Sequence, residues 1–293
     1  MDVSATAEVS VAAPAKVNLA LLVGPQRPDG FHEVFSLMLP VTLADLVTVR
    51  DTPGEALAVD CAVCPGDDNL AAATVRELER RLERRFEVAV TIAKRIPPAA
   101  GLAGGSSDAA ATLVALERLF ALELPTRLRY EVAAAVGSDV PFFLWPGPQL
   151  AMGRGTVLRE VELPEPLHLV VAVPDLALST AAVYRWRDED AALDVRAFVD
   201  RSQRLVEGIR AAQRPRDLAP LVGNDLEAAV VARHPEVGEL NRRLLDAGAF
   251  AAAMSGSGSS VFGLFSSAKR AQAALRAAAP AQPFYVTDLQ PRP

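Results

Sequence analysis

Pro97-Pro98-Ala99-Ala100-Gly101-Leu102-Ala103-Gly104-Gly105-Ser106-Ser107-Asp108-Ala109-Ala110-Ala111-Thr112 joins a segment that reads as a strand to one that reads as a helix of about four turns. Gly101, Gly104 and Gly105 let the backbone bend sharply and approach a ligand closely, because no Cβ stands in the way. Ser106 and Ser107 then open the helix, whose first N–H groups lack internal partners and carry the positive end of the macrodipole. This is an anion site, and the expected anion is a phosphate. Alone, the same turn reads as a loop with an ordinary Ser or Asp cap, so the rest of the chain has to decide.

The chain of 293 residues is 51% hydrophobic, enough to bury a sizeable core in one large domain or, as expected here, two. Its formal net charge is -6, and its Lys and Arg residues are scattered except along Arg76 to Arg85, where Glu alternates with Arg as on a solvated helix face. Nucleic acid and anionic membranes are therefore not expected partners. Met1 to Glu8 has no basic or apolar leader pattern, and no apolar run is long enough to span a bilayer, so a soluble cytoplasmic protein is expected. Cys61 and Cys64 are the two cysteines, and His32, His168 and His234 are dispersed. Zinc needs about four ligands, so two packing cysteines and no protein-ligated metal are expected.

In chain order, the pattern predicts a strand over Glu8 to Ala13 ended by Pro14, then one over Lys16 to Val23 with Lys16, Asn18 and Ala20 on one face. Gly24 to Glu33 is a turn-rich loop presenting Phe31 and His32, which can stack on and hydrogen-bond a planar ligand; core packing of Phe31 is the alternative. Strands follow at Val34 to Leu39, Leu46 to Asp51 and Ala56 to Ala62, then a helix from Asn69 to Arg84 capped by Asp68, and a strand from Phe86 to Ile92. Beyond the glycine loop come helices Ser107 to Leu122 and Thr126 to Ala135. Gly137-Ser138-Asp139 is then a turn that sets a carboxylate just before an apolar run. The proline pair Pro164 and Pro166 marks an expected boundary between domains 1–163 and 164–293. Further strands are expected near Leu167 to Val173, Phe250 to Met254 and Val261 to Phe265. Further helices are expected after Ser179 or Thr180, from Asp194, Leu226 and Pro235, and over Ala268 to Ala278, with a second flexible loop at Ser255 to Ser260. Strands with interspersed helices, rather than a regular alternation, give an α+β class.

Common nucleotide motifs are absent: no Gly-x-x-x-x-Gly-Lys-[Ser/Thr], and Ala103 interrupts any Gly-x-Gly-x-x-Gly. The residues instead resemble the GHMP kinase superfamily. Pro97 to Ala110 is similar to its ATP phosphate loop, Pro14-Ala15-Lys16-Val17-Asn18-Leu19 with Arg27-Pro28-Asp29-Gly30-Phe31-His32-Glu33 to its opening, Gly137 to Phe143 to its second signature, and Ser255 to Phe262 to its third. The branch most resembled phosphorylates a cytidine-diphosphate-linked methylerythritol on its 2-hydroxyl, in isoprenoid precursor synthesis. Homoserine and mevalonate kinases, or a non-catalytic nucleotide-binding regulator, are the alternatives.

The resemblance implies an N-terminal ribosomal-protein-S5-like domain and a C-terminal ferredoxin-like α/β sandwich. It implies ATP, with Mg²⁺ carried in on it, a small-molecule substrate, and a monomer or homodimer. Asp139 is the candidate base, a role worth roughly 10²- to 10⁴-fold, with Lys16 keeping it ionised and neutralising charge on the γ-phosphoryl group. Pro97, Ala99, Gly101, Leu102, Ala103, Gly104, Gly105, Ser106 and Ser107 are implied ATP contacts. Asn18, Phe31, His32, Asp139, Thr180, Tyr184, Gly256 and Ser257 are implied substrate contacts, with the base between Phe31 and Tyr184. Three positions depart from the pattern: Ala103 replaces a glycine, Phe31 a tyrosine, and Asp108 adds a charge read as a substrate-side or capping residue.

Overall fold

The structure, a computed structural model, describes residues 7–190, 194–278 and 284–290. The first six residues, part of the segment read for a leader, lie outside the described residues. Its strands and helices are, in order, β1 (Glu8–Gln26), β2 (His32–Asp51), β3 (Ala58–Cys61), α1 (Leu70–Leu82), β4 (Val88–Ala93), α2 (Gly104–Leu119), α3 (Thr126–Val136), β5 (Gln149–Gly153), β6 (Val157–Glu160), β7 (His168–Ala172), α4 (Thr180–Asp190), α5 (Val195–Ala211), β8 (Gly223–Asn224), α6 (Glu227–Arg233), α7 (Pro235–Asp246), β9 (Ala251–Met254), β10 (Val261–Phe265), α8 (Ala268–Ala278) and β11 (Phe284–Asp288). The α+β class stands. Residue contacts gather these elements into two compact units, Met1–Ala15 with Ala44–Pro98 and Ala103–Trp145, and Lys16–Leu43 with Ala99–Leu102 and Pro146–Pro293. Strands β1 and β2 contribute residues to each.

In the first unit β4 pairs parallel with β3 and antiparallel with the end of β2, from Leu46↔Ala93 to Asp51↔Val88. Val88, Val90 and Ile92 are buried, and the residues between them are not, as the period-two pleat requires. Against Val47, Val49, Val88 and Val90 lies a core that includes Val75 and Leu78 of α1 and Leu113 and Leu116 of α2. The buried stretch Ala109-Ala110-Ala111 keeps α2 slim around more than half its circumference at that turn. Burial of one such Val or Leu side chain is worth about 1.5–3 kcal/mol.

In the second unit the first half of β2 pairs antiparallel with β5, and β5 with β6, while β1 pairs parallel with β8. A separate antiparallel sheet has the order β11-β7-β10-β9. Val170 and Ala172 of β7, Val261 and Phe265 of β10, Val230 of α6, and Leu240 and Leu244 of α7 share its core. This is the expected α/β sandwich.

Several boundaries differ from expectation. Pro14 does not end a strand, because β1 runs through it, and β2 likewise runs through Pro40. Proline's fixed φ suits extended backbone and removes only one ladder donor. The cap of α1 is Asn69, whose Oδ1 accepts from the Ala71 N–H at 2.9 Å; Asp68 ends a 3₁₀ turn, Gly66–Asp68. Helix α2 begins at Gly104, so Ser106 and Ser107 lie inside its first turn rather than at its start. Strands β8 and β11 were not foreseen: two residues carry no period, and β11 follows a stretch rich in Ala and Pro.

Candidate functional site

The glycines of the loop have separate tasks. A Cβ on Gly101, at φ +75, would lie 2.2 Å from the Ser255 carbonyl oxygen, so this glycine admits the protein's own chain rather than a ligand. A Cβ on Gly104 would press on Ile96 at 3.0 Å. Gly105 is exposed and meets only Leu70, at 3.7 Å, which leaves it open to a phosphate. Two further left-handed positions of the loop fall on alanines, Ala99 at φ 51 and Ala103 at φ 56, and Ala103 is the N-cap residue of α2, with no side-chain cap bond.

At the start of α2 the N–H groups of Gly104, Gly105 and Ser106 precede the first residue that can bond back into the helix. The Ser107 N–H is already committed to the Ala103 carbonyl at 3.0 Å. The expectation that the whole Gly101 to Ser107 backbone holds phosphate therefore narrows. The Ser107 hydroxyl is buried without a hydrogen-bond partner, and Ser106 is half-buried.

Asp108 is neither a cap nor an exposed substrate contact. It is 3% exposed, and its Oδ2 accepts from Lys94 Nζ at 2.7 Å. The same ammonium bonds Asp45, whose Oδ1 also accepts the Ile96 N–H at 2.8 Å and the Arg95 N–H. Burial pushes the Asp108 carboxyl up to about 7 against the pull of Lys94. Burial pulls the Lys94 ammonium down, but its bonds to Asp108 and Asp45 outweigh this and raise it. Sequence reading passed over Lys94 and Asp45, although a lysine just before the Pro97 loop was a visible signal.

In the second unit Lys16 is 4% exposed and donates to Asn18 Oδ1 at 2.6 Å. The Asn18 amide donates in turn to Ser36 Oγ at 2.8 Å, and Ser36 to the Ala20 carbonyl at 2.7 Å. This chain fixes the amide flip and aims the lysine. Gly256 stands beside it: its missing Cβ would lie 3.2 Å from Lys16 Nζ and 3.0 Å from the Gly101 carbonyl oxygen. Ser255 Oγ donates to that carbonyl at 3.2 Å and accepts the Asn18 N–H at 3.3 Å. Leu102 is buried, and its carbonyl accepts the Lys16 N–H at 3.1 Å, while Ala100 accepts from Ser260 N–H. Just before α6, whose N-cap is Leu226, Asn224 Oδ1 accepts the Leu226 N–H at 2.9 Å and the Asn224 amide donates to the Met254 and Gly256 carbonyls.

The same unit brings His32 and Tyr184 together, their ring centroids 5.1 Å apart. His32 Nε2 lies 3.0 Å from Asp188 Oδ2, a residue that sequence reading missed. Its position four residues beyond Tyr184 on α4 puts both on one helix face, and that spacing was the available signal. Phe31 is 48% exposed, which rules out core packing, and the Arg154 guanidinium lies 5.1 Å from its ring centroid. Thr180 Oγ1 and Ser257 Oγ are 2.9 Å apart. Asp139 occupies the foreseen turn in the first unit, half-buried, before the buried Val140, Pro141 and Phe142. Pro97 is half-buried and Ala99 exposed.

The pattern described as GHMP kinases N terminal domain matches residues 69–147, and that described as GHMP kinases C terminal matches 205–281. The chain is 45% identical over 262 residues to the 4-diphosphocytidyl-2-C-methyl-D-erythritol kinase of Anaeromyxobacter dehalogenans strain 2CP-1, covering 86% of this chain and 79% of the relative. It is 41% identical to the enzyme of that name from Gloeobacter violaceus, covering 87% and 85%. A crystal structure of 4-(cytidine 5'-diphospho)-2C-methyl-D-erythritol kinase superposes with a TM-score of 0.80 at 33% identity, covering 97% of this chain and all of the other. A homoserine kinase from Cytophaga hutchinsonii, at 20% identity and TM-score 0.76, shares the fold.

Proposed function

Because the chain belongs to the 4-diphosphocytidyl-2-C-methyl-D-erythritol kinase family of GHMP kinases, we propose that it transfers the γ-phosphoryl group of ATP to the 2-hydroxyl of 4-diphosphocytidyl-2-C-methyl-D-erythritol. The observation that carries the choice of substrate is the His32–Tyr184 ring pair with Phe31 exposed beside it in sequence, which suits a pyrimidine and has no use in a kinase of a small aliphatic alcohol. Tyr184 and Phe31 supply aromatic faces, and stacking contributes about 1–3 kcal/mol per base. His32 reads the polar edge. Thr180, Ser257, Gly256 and Asn18 serve the remainder of the substrate.

ATP is the phosphoryl donor expected of a GHMP kinase. We take its phosphates to lie on the N–H groups at the start of α2 and its nucleoside along Pro97 to Ala99, a part of the loop that is not buried. Mg²⁺ enters as the counter-ion of the nucleotide. Among the described residues no group of three or more His, Cys, Asp and Glu side chains is placed to hold a metal.

The alcohol loses its proton as the new P–O bond forms and the bond to the ADP leaving oxygen breaks. Asp139 accepts that proton, and Lys16 offsets the charge on the transferred group. Phosphoryl transfer asks mostly for positioning and charge, so the helix start and the Lys16–Asn18–Ser36 chain account for most of the effect. The sequence halves 1–163 and 164–293 correspond on this reading to the two GHMP domains, each holding one family match. The free Cys61 and Cys64 thiols suit a reducing cytoplasm, and a monomer or homodimer is the working assembly.

An ADP-release assay with the cytidyl substrate and Mg²⁺ tests the reaction. Turnover with that substrate and none with homoserine or mevalonate is expected; ATP binding without consumption would favour a regulator.

A further inference from the structure

Helix α2 carries a charge arrangement that the reaction does not call for. Lys94, just past the end of β4, is shared between Asp45 on β2 and Asp108 on α2. Asp45 has the richer set of donors, the Arg95 and Ile96 N–H groups as well as the ammonium. Asp108 has Lys94 alone, and its Oδ1 is buried with no hydrogen-bond partner. One ammonium between two buried carboxylates leaves an excess negative charge, and the poorer-satisfied carboxyl is the one that gains by carrying a proton.

The cluster also has a mechanical consequence. Asp45 grips the segment that enters the loop, through Arg95 and Ile96, and Lys94 ties the same carboxylate to the helix that leaves it. Gly104 is glycine partly because a Cβ there would lie 3.2 Å from Lys94 Nζ. Asp108 is the fifth residue of α2, about 6 Å along the axis from the helix start at 1.5 Å per residue. A polyphosphate bound at that start repels an ionised Asp108.

Resting on the reading of the α2 start as the nucleotide's phosphate site, we propose that Asp45, Lys94 and Asp108 form a positioning cluster for the phosphates, one that takes up a proton on Asp108 from solvent when nucleotide binds. The charges facing Asp108 are Lys94 from the end of β4 and Asp45 from β2, while α1 and the 3₁₀ turn Pro141–Leu144 share an apolar cluster with α2 through Val75, Leu78 and Leu144. Burial that pushes the Asp108 carboxyl up to about 7 puts the exchange in the neutral range. The anion raises it further, so nucleotide affinity falls as pH rises through neutrality, and a one-unit rise on binding is a tenfold change across the titration.

The test is a comparison of wild type with Asp108→Asn, which keeps an oxygen for Lys94 but no longer titrates. In wild type the KM for MgATP should rise by about fivefold between about pH 6 and pH 8 relative to the variant. The effect should fall on KM rather than kcat, because Asp108 does not touch the reacting atoms. Calorimetry with a non-hydrolysable ATP analogue, in two buffers of different ionisation enthalpy, should show more proton uptake by wild type than by the variant; the analogue's own ionisation is common to both. Parallel KM profiles and equal uptake would overturn the proposal. Should Asp108→Asn not fold, Asp45→Asn serves, since Asp108 then has the ammonium to itself and uptake is again lost. Gly105→Asp separates the two readings. Unchanged analogue binding by that variant refutes the phosphate site itself, whereas lost binding together with equal uptake in the other pair refutes only the cluster's role.

Discussion

His32 Nε2 lies 3.0 Å from Asp188 Oδ2 while the His32 ring sits 5.1 Å from that of Tyr184, so one residue of α4 orients the imidazole and another covers it. A carboxylate can only accept, so Asp188 takes the Nε2–H and leaves Nδ1 as the ring nitrogen for a ligand. Removing Asp188 frees the ring to turn and to change tautomer. Asp188→Ala should raise the KM for the cytidyl substrate about fivefold to tenfold, the equivalent of one hydrogen bond of about 1 kcal/mol, with a smaller effect on kcat. Steady-state kinetics with the two substrates varied separately would check it; an effect confined to the KM for ATP would contradict this assignment.

Gly101 has φ +75, and a Cβ there would meet the Ser255 carbonyl oxygen at 2.2 Å. Gly101→Ala adds a steric clash with backbone to a left-handed conformation that costs a residue with a side chain about 1–2 kcal/mol. The variant should unfold several degrees lower and lose most activity, because displaced Ser255 also bonds the Asn18 N–H beside Lys16. Thermal unfolding and turnover measured together check both halves of this expectation.

Much of the architecture was legible because it is written in periodicity: β10 over Val261–Phe265 and α8 over Ala268–Ala278 fall where the pattern puts them. The long strands were harder. Pro14 read as punctuation and the strand from Val34 was expected to stop at Leu39, yet Pro14 and Pro40 both lie inside strands, since a proline costs little where its missing N–H is not needed. At the candidate site, the glycine loop, Lys16, His32 and Asp139 came from four motifs read in order through the family resemblance, no one of which decides a role by itself. Asp45, Lys94 and Asp188 were not announced, because their meaning lies in partners 49, 14 and 156 residues away. Long-range ion pairs have no local signature.

Ala103 holds φ 56 where the superfamily pattern has glycine. The left-handed conformation costs alanine about 1–2 kcal/mol, and glycine returns about 0.4–1 kcal/mol of that through the entropy of the unfolded chain. Ala103→Gly should therefore stabilise the protein slightly, by up to about 1 kcal/mol, and leave the Ser107 N–H to Ala103 carbonyl bond in place. Denaturant unfolding at fixed pH measures the difference. A loss of stability would mean that the Ala103 methyl group packs usefully in the loop.

Asp139 stands in a turn whose next residues, Val140, Pro141 and Phe142, are buried and anchor it. As the proton acceptor, it should be needed for the chemical step and not for ATP binding. Asp139→Asn should lower kcat by about 10²- to 10⁴-fold, the usual worth of a general base. The Kd of an ATP analogue should change far less. Retained turnover would remove Asp139 from the mechanism and leave the reaction to positioning alone.

Asp108 also makes stability depend on pH in the absence of nucleotide. Its carboxyl is pushed by burial from 3.8 up to about 7, so between these values the folded protein binds a proton that the unfolded chain releases. Stability from this group is complete below about pH 4, declines as pH rises, and is lost by the time pH passes about 7. Glu77, held down at about 2 mainly by its hydrogen bond to Arg80, acts oppositely: its contribution is present above about 4.5 and fades as pH falls towards 2. The two windows do not overlap above about pH 5. Thermal unfolding from pH 5 to pH 8 should show the wild-type midpoint falling relative to that of Asp108→Asn, and two curves that stay parallel over that range would place the Asp108 titration outside it.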